Sequence, residues 1–455
     1  MKSINRLRAP FFLQIYQFAT HPAQFLESCS QRYGDIFTTK WPGSNPIVFI
    51  SNPQAIEQVC KAPKDTFNIG ETYEFMRALV GNRSLMLLEK KAHHRQRSLI
   101  MPPLHGESLR SYGEIIYQLT KDATQDWRLG DKINITSWAQ TLSIKVMLSV
   151  IFGLEEKELS ELRHKIAELL DCYSSPTMVL HHVAPILRQD LGSWSPWGSF
   201  TRLRQEVDRL LYAEITRRRK RNNKNNTDVL SLLMNARDEE GELLSDVELR
   251  DHVITLLSGK GVAANAILFG LYSVVGNLEI GQKLQNELDS LDDFANLDAV
   301  AKLTYLTAVV KETLRLYPLT AVAMRSATKS FELMGHKLAK NTSIFMDLHS
   351  LHHRSDLFPN PKQFKPERFL NKKFTSYEYA PFGGGNRRCI AYSFAPFQTK
   401  LILGTIMSSY QLELADKRPI KLVRQAAGVA PERNIYLKVT GYRKQKSANG
   451  MAIAL

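Results

Sequence analysis

Cysteine is scarce in this chain: four in 455 residues, at positions 29, 60, 172 and 389, with no C-x-x-C and no His/Cys tract of zinc-ligand spacing. That excludes a disulfide framework and a structural zinc module, and it points to a reducing compartment, with the cytoplasm as the expected location. No stretch reaches the ~18 uninterrupted apolar residues of a spanning helix, so no transmembrane segment is expected. Residues 1–20 carry Lys2, Arg6 and Arg8 ahead of an apolar patch over 9–19, but Gln14 and Gln17 interrupt it and no small-residue cleavage site follows. They read as an amino-terminal extension rather than a signal peptide. Internal repeats and an inter-domain linker are missing, and so is any flavin, nicotinamide or iron–sulfur motif, so electrons for redox chemistry must come from outside.

Acidic residues are outnumbered. Sixty Lys and Arg against 45 Asp and Glu give a net charge of +15 and a pI near 9.5, which suits nucleic acid, an acidic protein partner or simply a basic surface. The densest cluster, Arg217 to Arg221, closes a helical pattern and precedes an asparagine-rich stretch over 222–226. Cations suit a helix carboxyl end, and the cluster lacks the interleaved aromatics on which bases stack. A solvated connector is expected there, and no nucleic-acid partner. The hydrophobic fraction of 44% is ordinary for a chain with a sizeable core.

Residues 380–391 read A-P-F-G-G-G-N-R-R-C-I-A, a glycine-rich loop that ends on Cys389 and opens into a helical pattern. A lone cysteine is commonly a small buried hydrophobe and a triple glycine a flexible loop. A thiolate, in contrast, needs positive potential, and a position just ahead of a helix supplies it from unpaired N–H groups and the helix dipole. Glycines let the backbone close around the sulfur, Arg387 and Arg388 add charge, and Phe382 can shield one wall. Phe382, Gly383, Gly385, Arg387 and Cys389 fit F-G-x-G-x-R-x-C, and on this stretch the chain resembles the cytochromes P-450. The resemblance implies a single mainly α domain with small β-sheets over residues 1–455, with 445–455 a flexible tail. It also implies one haem b with Cys389 as the axial thiolate of its iron; such ligation favours O–O cleavage.

Further motifs follow in the order the family shows. Glu312 and Arg315 lie three apart on one helix face, which alone is an ordinary ion pair but resembles E-x-x-R. Residues 364–369 (F-K-P-E-R-F) look like the family's P-E-R-F segment, so Arg368 is expected to join Glu312 and Arg315 in a buried network that holds the haem-side loop. His93 and Arg97, four apart near a helix start, with Arg325 and Arg387, match propionate-binding positions. The family's usual pocket segments imply a lining from Tyr73, Phe75, Met76, Gly259, Ala263, Leu319, Val322 and Val429. Ala391 departs from the pattern, where the family usually has glycine.

The longest helix is expected to start at the capping box Ser245/Glu248 and run to Val275, its middle made polar by Gly259, Lys260 and Gly261. In most of the family this helix carries A-G-x-[DE]-T, whose acid and alcohol relay protons. Here Gly261 and Val262 stand where the pair belongs, in one register, and Val262 and Ala263 in the other. Asn265 is the nearest polar side chain of fixed direction and becomes the candidate water holder. The resemblance implies a monooxygenase acting on a lipophilic small molecule, a monomer served by a ferredoxin-type partner and its reductase. Lys90, Lys91, Arg95, Arg388 and Lys400 are candidates for the docking face. The missing pair keeps open a peroxide-driven or rearrangement-type enzyme, and a haem protein that binds ligands without turnover is the third reading.

Overall fold

The computed structural model describes every residue except 1–3, 154–158, 176, 179–180, 182–187, 193, 222–226, 292–295, 426–427 and 444–455. The asparagine-rich stretch and the whole of the expected tail therefore lie outside the described residues. The chain divides into two compact units, one of Met1–Asn68, Ile116–Ser143 and Gly261–Leu455, the other of Ile69–Ile115 and Ile144–Lys260.

The first unit holds the strands. In chain order they are β1 (Asn5–Arg6), β2 (Ile36–Thr39), β3 (Ile47–Ile50), β4 (Phe67–Asn68), β5 (Lys132–Asn134), β6 (Val322–Ala327), β7 (Phe331–Leu333), β8 (His336–Leu338), β9 (Ser343–Asp347), β10 (Tyr410–Leu414), β11 (Leu422–Gln425), β12 (Gly428–Pro431) and β13 (Tyr436–Tyr442). They form a six-stranded sheet in the order β1-β2-β3-β9-β6-β4, a three-stranded sheet β10-β13-β5 and the hairpins β11-β12 and β7-β8. β3 shows why four apolar residues in a row make a strand here: side chains alternate between faces, and both faces are covered. Val48 and Ile50 enter a core cluster with Ile56, Leu351 and Ala380, while Ile47 and Phe49 enter another with Phe25, Phe37 and Val429.

Local signals set the helix ends. Asn52 Oδ1 accepts from the N–H groups of Gln54 (2.9 Å) and Ala55 (3.3 Å) ahead of the helix Pro53–Lys61, and Gly34, at φ 88°, ends the helix Pro22–Tyr33. Ser245 and Glu248 form the expected capping box. The helix they start, however, stops at Leu257, and a second one, Lys260–Val275, follows a turn at Ser258 and Gly259. Gly259 N–H bonds Leu256 O at 3.2 Å, a tightened i to i+3 turn, and Ser258 Oγ donates to Thr255 O at 2.7 Å. Glycine's low helix propensity and a serine competing for backbone acceptors account for this break in the expected single helix.

Within the amino-terminal extension, β1 joins the large sheet, and Phe11–Thr20 is a helix. One further expectation changes: the basic cluster is not wholly solvated. It ends the 26-residue helix Pro196–Arg221, and Arg218, only 10% exposed, bonds Glu214 (2.5 Å), Asp228 (2.6 Å) and Phe152 O (2.7 Å). Among the described residues, Ile135–Phe152 and Asp246–Val275 are long and apolar enough to cross a membrane by length and composition, and just over half of each apolar window is buried inside the protein.

Candidate active site

The cysteine loop begins at buried Ala380, packed into the core cluster that includes Val59 and Ile344. Gly383 N–H bonds Ala380 O at 3.0 Å, and Cys389 N–H bonds Phe382 O at 2.9 Å, which brings the cysteine back over the phenylalanine. Gly383 and Gly385 have φ of +68° and +69°, a conformation that glycine adopts without strain. A Cβ on Gly385 would lie 2.6 Å from Cys60 O, so the loop also needs glycine for close approach to the end of the helix Pro53–Lys61. Arg387 sits in the short turn Gly385–Arg387, and Arg388 lies 3.9 Å over the Tyr392 ring. Cys389 does not open directly into a helix: a turn over 390–393 intervenes before Phe394–Ser409.

Beneath this loop the structure brings Glu312, Arg315 and Arg368 together, all buried. Arg315 forks onto Glu312 with bonds of 2.7 and 2.9 Å, and Arg368 Nε reaches the same carboxylate at 3.0 Å. Lys365 N–H adds a fourth bond at 2.8 Å. Paired charge with both carboxylate oxygens engaged is the arrangement that makes a buried ion cluster tolerable. His352, which motif reading missed, ties the cluster to the loop: its carbonyl accepts from Arg315 Nη1 (2.7 Å), and its Nε2 accepts from Ala380 N–H (2.9 Å). Burial holds its imidazole well below the usual pKa, as that acceptor role requires.

In the same unit, Asn265 is buried, and its Nδ2 donates to Val429 O at 2.8 Å and to Gln425 Oε1 at 3.3 Å. Val429 N–H in turn bonds Leu319 O at 3.2 Å. Leu319, Val429 and Asn265 are thus brought together, with Val322 packed on Val429's cluster. Gly261, Val262 and Ala263 are half-buried, and a Cβ on Gly261 would meet nothing within 4 Å. Arg325 is buried on β6, where Nη1 donates to Met324 O at 2.8 Å.

The second unit carries the rest. His93 is buried on the helix Lys90–Ile100, with Arg97 half-buried one turn on. Tyr73 and Phe75 have ring centroids 6.3 Å apart, while Met76 is buried against the Tyr173 hydroxyl, 3.6 Å from its sulfur. Gly259 is half-buried, and Lys260 is turned onto Asp171 in an ion pair. The expected docking face needs correcting. Arg95 is engaged by Asp238 and, at 3.1 Å, by Glu248; Lys400 donates to Ala301 O, and burial pulls its ammonium below the ordinary value. Lys90 and Lys91 are exposed.

Among the described residues no three His, Cys, Asp or Glu side chains converge as a protein-only metal site. A metal on Cys389 must therefore bring its other ligands with it, as a porphyrin does. The surroundings fit such a group: Cys389 is exposed, where unbridged cysteines are usually buried, residues around it are half-buried, and a Cβ on Gly383 would meet open space.

Comparison with known proteins agrees. The sequence profile of the family described as Cytochrome P450 matches residues 5–439. Cyclooctat-9-en-7-ol 5-monooxygenase of Streptomyces melanosporofaciens is 30% identical over 400 residues, covering 86% of this chain and 85% of that one. Cytochrome P450 135B1 of Mycobacterium tuberculosis is 28% identical over 437 residues, covering 95% and 90%. The solved structure of retinoic acid bound cyanobacterial CYP120A1 superposes with a TM-score of 0.83 at 20% identity, over 96% of this chain and 98% of that one, which shows a shared fold. With its cysteine loop, its Glu312–Arg315–Arg368 cluster and a profile match along nearly all its length, the chain belongs to the cytochrome P450 family of haem-thiolate monooxygenases.

Proposed function

We propose that this protein, acting as a monomer in the cytoplasm, inserts one oxygen atom from O2 into a medium-sized lipophilic compound. It would use a b-type haem on Cys389 and electrons from a ferredoxin-type protein and its reductase. The observation that carries the reading is the cysteine loop held to the buried Glu312 cluster through His352. Bound haem supplies the oxygen chemistry. Cys389 would hold its iron, while His93, Arg97, Arg325 and Arg387 would pair with its carboxylates. Apolar Leu319, Val322, Ala263 and Val429, with Tyr73 and Phe75, would position the substrate and exclude water.

Proton delivery falls to what the chain retains. Gly261 and Val262 carry no group that holds or passes a proton. Asn265 has its Nδ2 committed to Val429 and Gln425, which fixes the direction of Oδ1 as an acceptor for an ordered water. A substrate hydroxyl would lend the transferable proton that this amide, whose N–H groups are not acidic, does not supply. The same absence favours a second reading, oxidation by peroxide or rearrangement of an already oxygenated substrate. Turnover of an identified substrate under heavy-oxygen-labelled O2 with a reductase system, set against turnover with hydrogen peroxide alone, separates the two. Label in the product and product-coupled electron consumption that falls in Asn265→Ala support the first; unlabelled product without electron demand overturns it.

A further inference from the structure

The amino-terminal helix Phe11–Thr20 buries a polar residue and leaves most of its large apolar ones exposed. Its one buried side chain is Gln14, whose Oε1 accepts from Thr39 Oγ1 (2.6 Å) and Trp41 Nε1 (3.2 Å) and whose Nε2 donates to Ala9 O (2.7 Å). One turn on, Phe18 packs its ring 5.7 Å from Phe25 and 5.5 Å from Trp41. With Gln14 and Phe18 fixing the inward face, the helical period sends Phe12 and Tyr16 outward, flanked by Phe11 and Ile15 on one side and Leu13 on the other. Phe12 is 65% exposed and Tyr16 62%. Five large apolar side chains on one short helix make a patch of roughly 500 Å². Exposed Arg6 and Arg8 precede it, and exposed Lys40 adjoins the tryptophan that Gln14 holds.

We propose that this helix is a peripheral membrane contact, laying its aromatic side on an anionic lipid bilayer. Phe and Tyr rings are apolar bodies that settle at the boundary of headgroups and acyl chains, and neighbouring cations are drawn to lipid phosphates. A second copy of the chain fits less well. A two-fold contact would set the same arginines against each other, and the patch falls short of the ~800 Å² per partner of a stable interface. Phe18 also packs into the cluster that holds Ala321, Val322 and Val429. Docking would therefore place the pocket segments next to the phase in which lipophilic compounds dissolve; this last step rests on the proposed substrate class, whereas docking itself does not.

The test is co-sedimentation of the haem-loaded full chain with phosphatidylcholine vesicles, with and without phosphatidylglycerol, at low and high salt. Partitioning into the anionic vesicles at low salt is expected, weakened by salt and reduced about tenfold or more in F12S/Y16S and in R6Q/R8Q, with haem absorbance unchanged. No sedimentation with anionic vesicles, partitioning that neither double variant alters, or equal partitioning into neutral vesicles overturns the proposal. So does a concentration-dependent dimer that F12S/Y16S abolishes, which would assign the patch to a second copy. Oxidation of a dissolved substrate is expected to be the same in both variants, so failure of docking and failure of the oxygenase reading are told apart.

Discussion

Both oxygens of the Glu312 carboxylate are occupied, one by Arg315 Nε and the other by Arg315 Nη2, Arg368 Nε and Lys365 N–H. Removing that carboxylate leaves two guanidinium groups buried with only carbonyl partners. Glu312→Ala should cost about 3–5 kcal/mol, read as a lower urea midpoint of the haem-loaded protein; a change under ~1 kcal/mol would show that the cluster is not what holds the site. The E-x-x-R spacing made this pair visible in the sequence because one helix turn brings the two residues together. His352 was not visible, since its partners come from a distant helix and a backbone N–H.

His352 and its neighbours also give the protein a pH dependence. Burial holds His349 and His352 well below the ordinary imidazole value and His353 at about 4. The unfolded chain takes up protons on these groups as pH falls through ~6.5, whereas the folded chain refuses them, so their contribution to stability is lost below that pH. Asp347 opposes this: burial raises its carboxyl to about 7, so its contribution is full at low pH and fades as pH rises toward 7. Three imidazoles against one carboxyl leave a net loss on acidification. The thermal midpoint should fall between about pH 6.5 and 4, and His352→Gln should flatten that limb; an unaltered slope counts against the assignment.

At the scale of elements, the cysteine loop depends on Gly385 twice over, for its φ of +69° and for the closeness of Cys60 O. Gly385→Ala combines left-handed strain with a backbone clash, and about 2 kcal/mol or more is expected, seen as lower haem retention at equal expression. Full retention would mean the loop can move off Cys60 without losing the site. Helix starts at Asn52 and Ser245 were legible because capping side chains act locally. The helix Phe11–Thr20 was not, because most of its large apolar residues face solvent while polar Gln14 joins Phe18 in facing the core. Nor did the sequence reveal that Asn265 would spend its amide hydrogens on the β11-β12 hairpin, a contact between residues far apart in the chain.

Over the whole molecule, the mainly helical fold was readable from three short motifs in a fixed order, while surface roles were not. A net charge of +15 names no partner, and two of the five basic residues first considered for docking are engaged internally. Exposed Lys90 and Lys91 remain, with half-buried Arg388 over the Tyr392 ring. Lys90→Glu/Lys91→Glu should slow electron transfer from an acidic ferredoxin several-fold at low ionic strength, and added salt should erase the difference. Equal rates at low salt would place the docking surface elsewhere.

The closeness of Cys60 to the glycine loop has a practical consequence. A Cβ on Gly384 would lie 2.9 Å from the Cys60 sulfur, and burial already raises that thiol's pKa. Cys60 is half-buried, so an alkylating reagent meets a crowded thiol there while the loop is seated. The rate at which this thiol is trapped becomes a clock for loop opening, slow with haem bound and faster in Glu312→Ala, and it reads the integrity of the site without any substrate or redox partner.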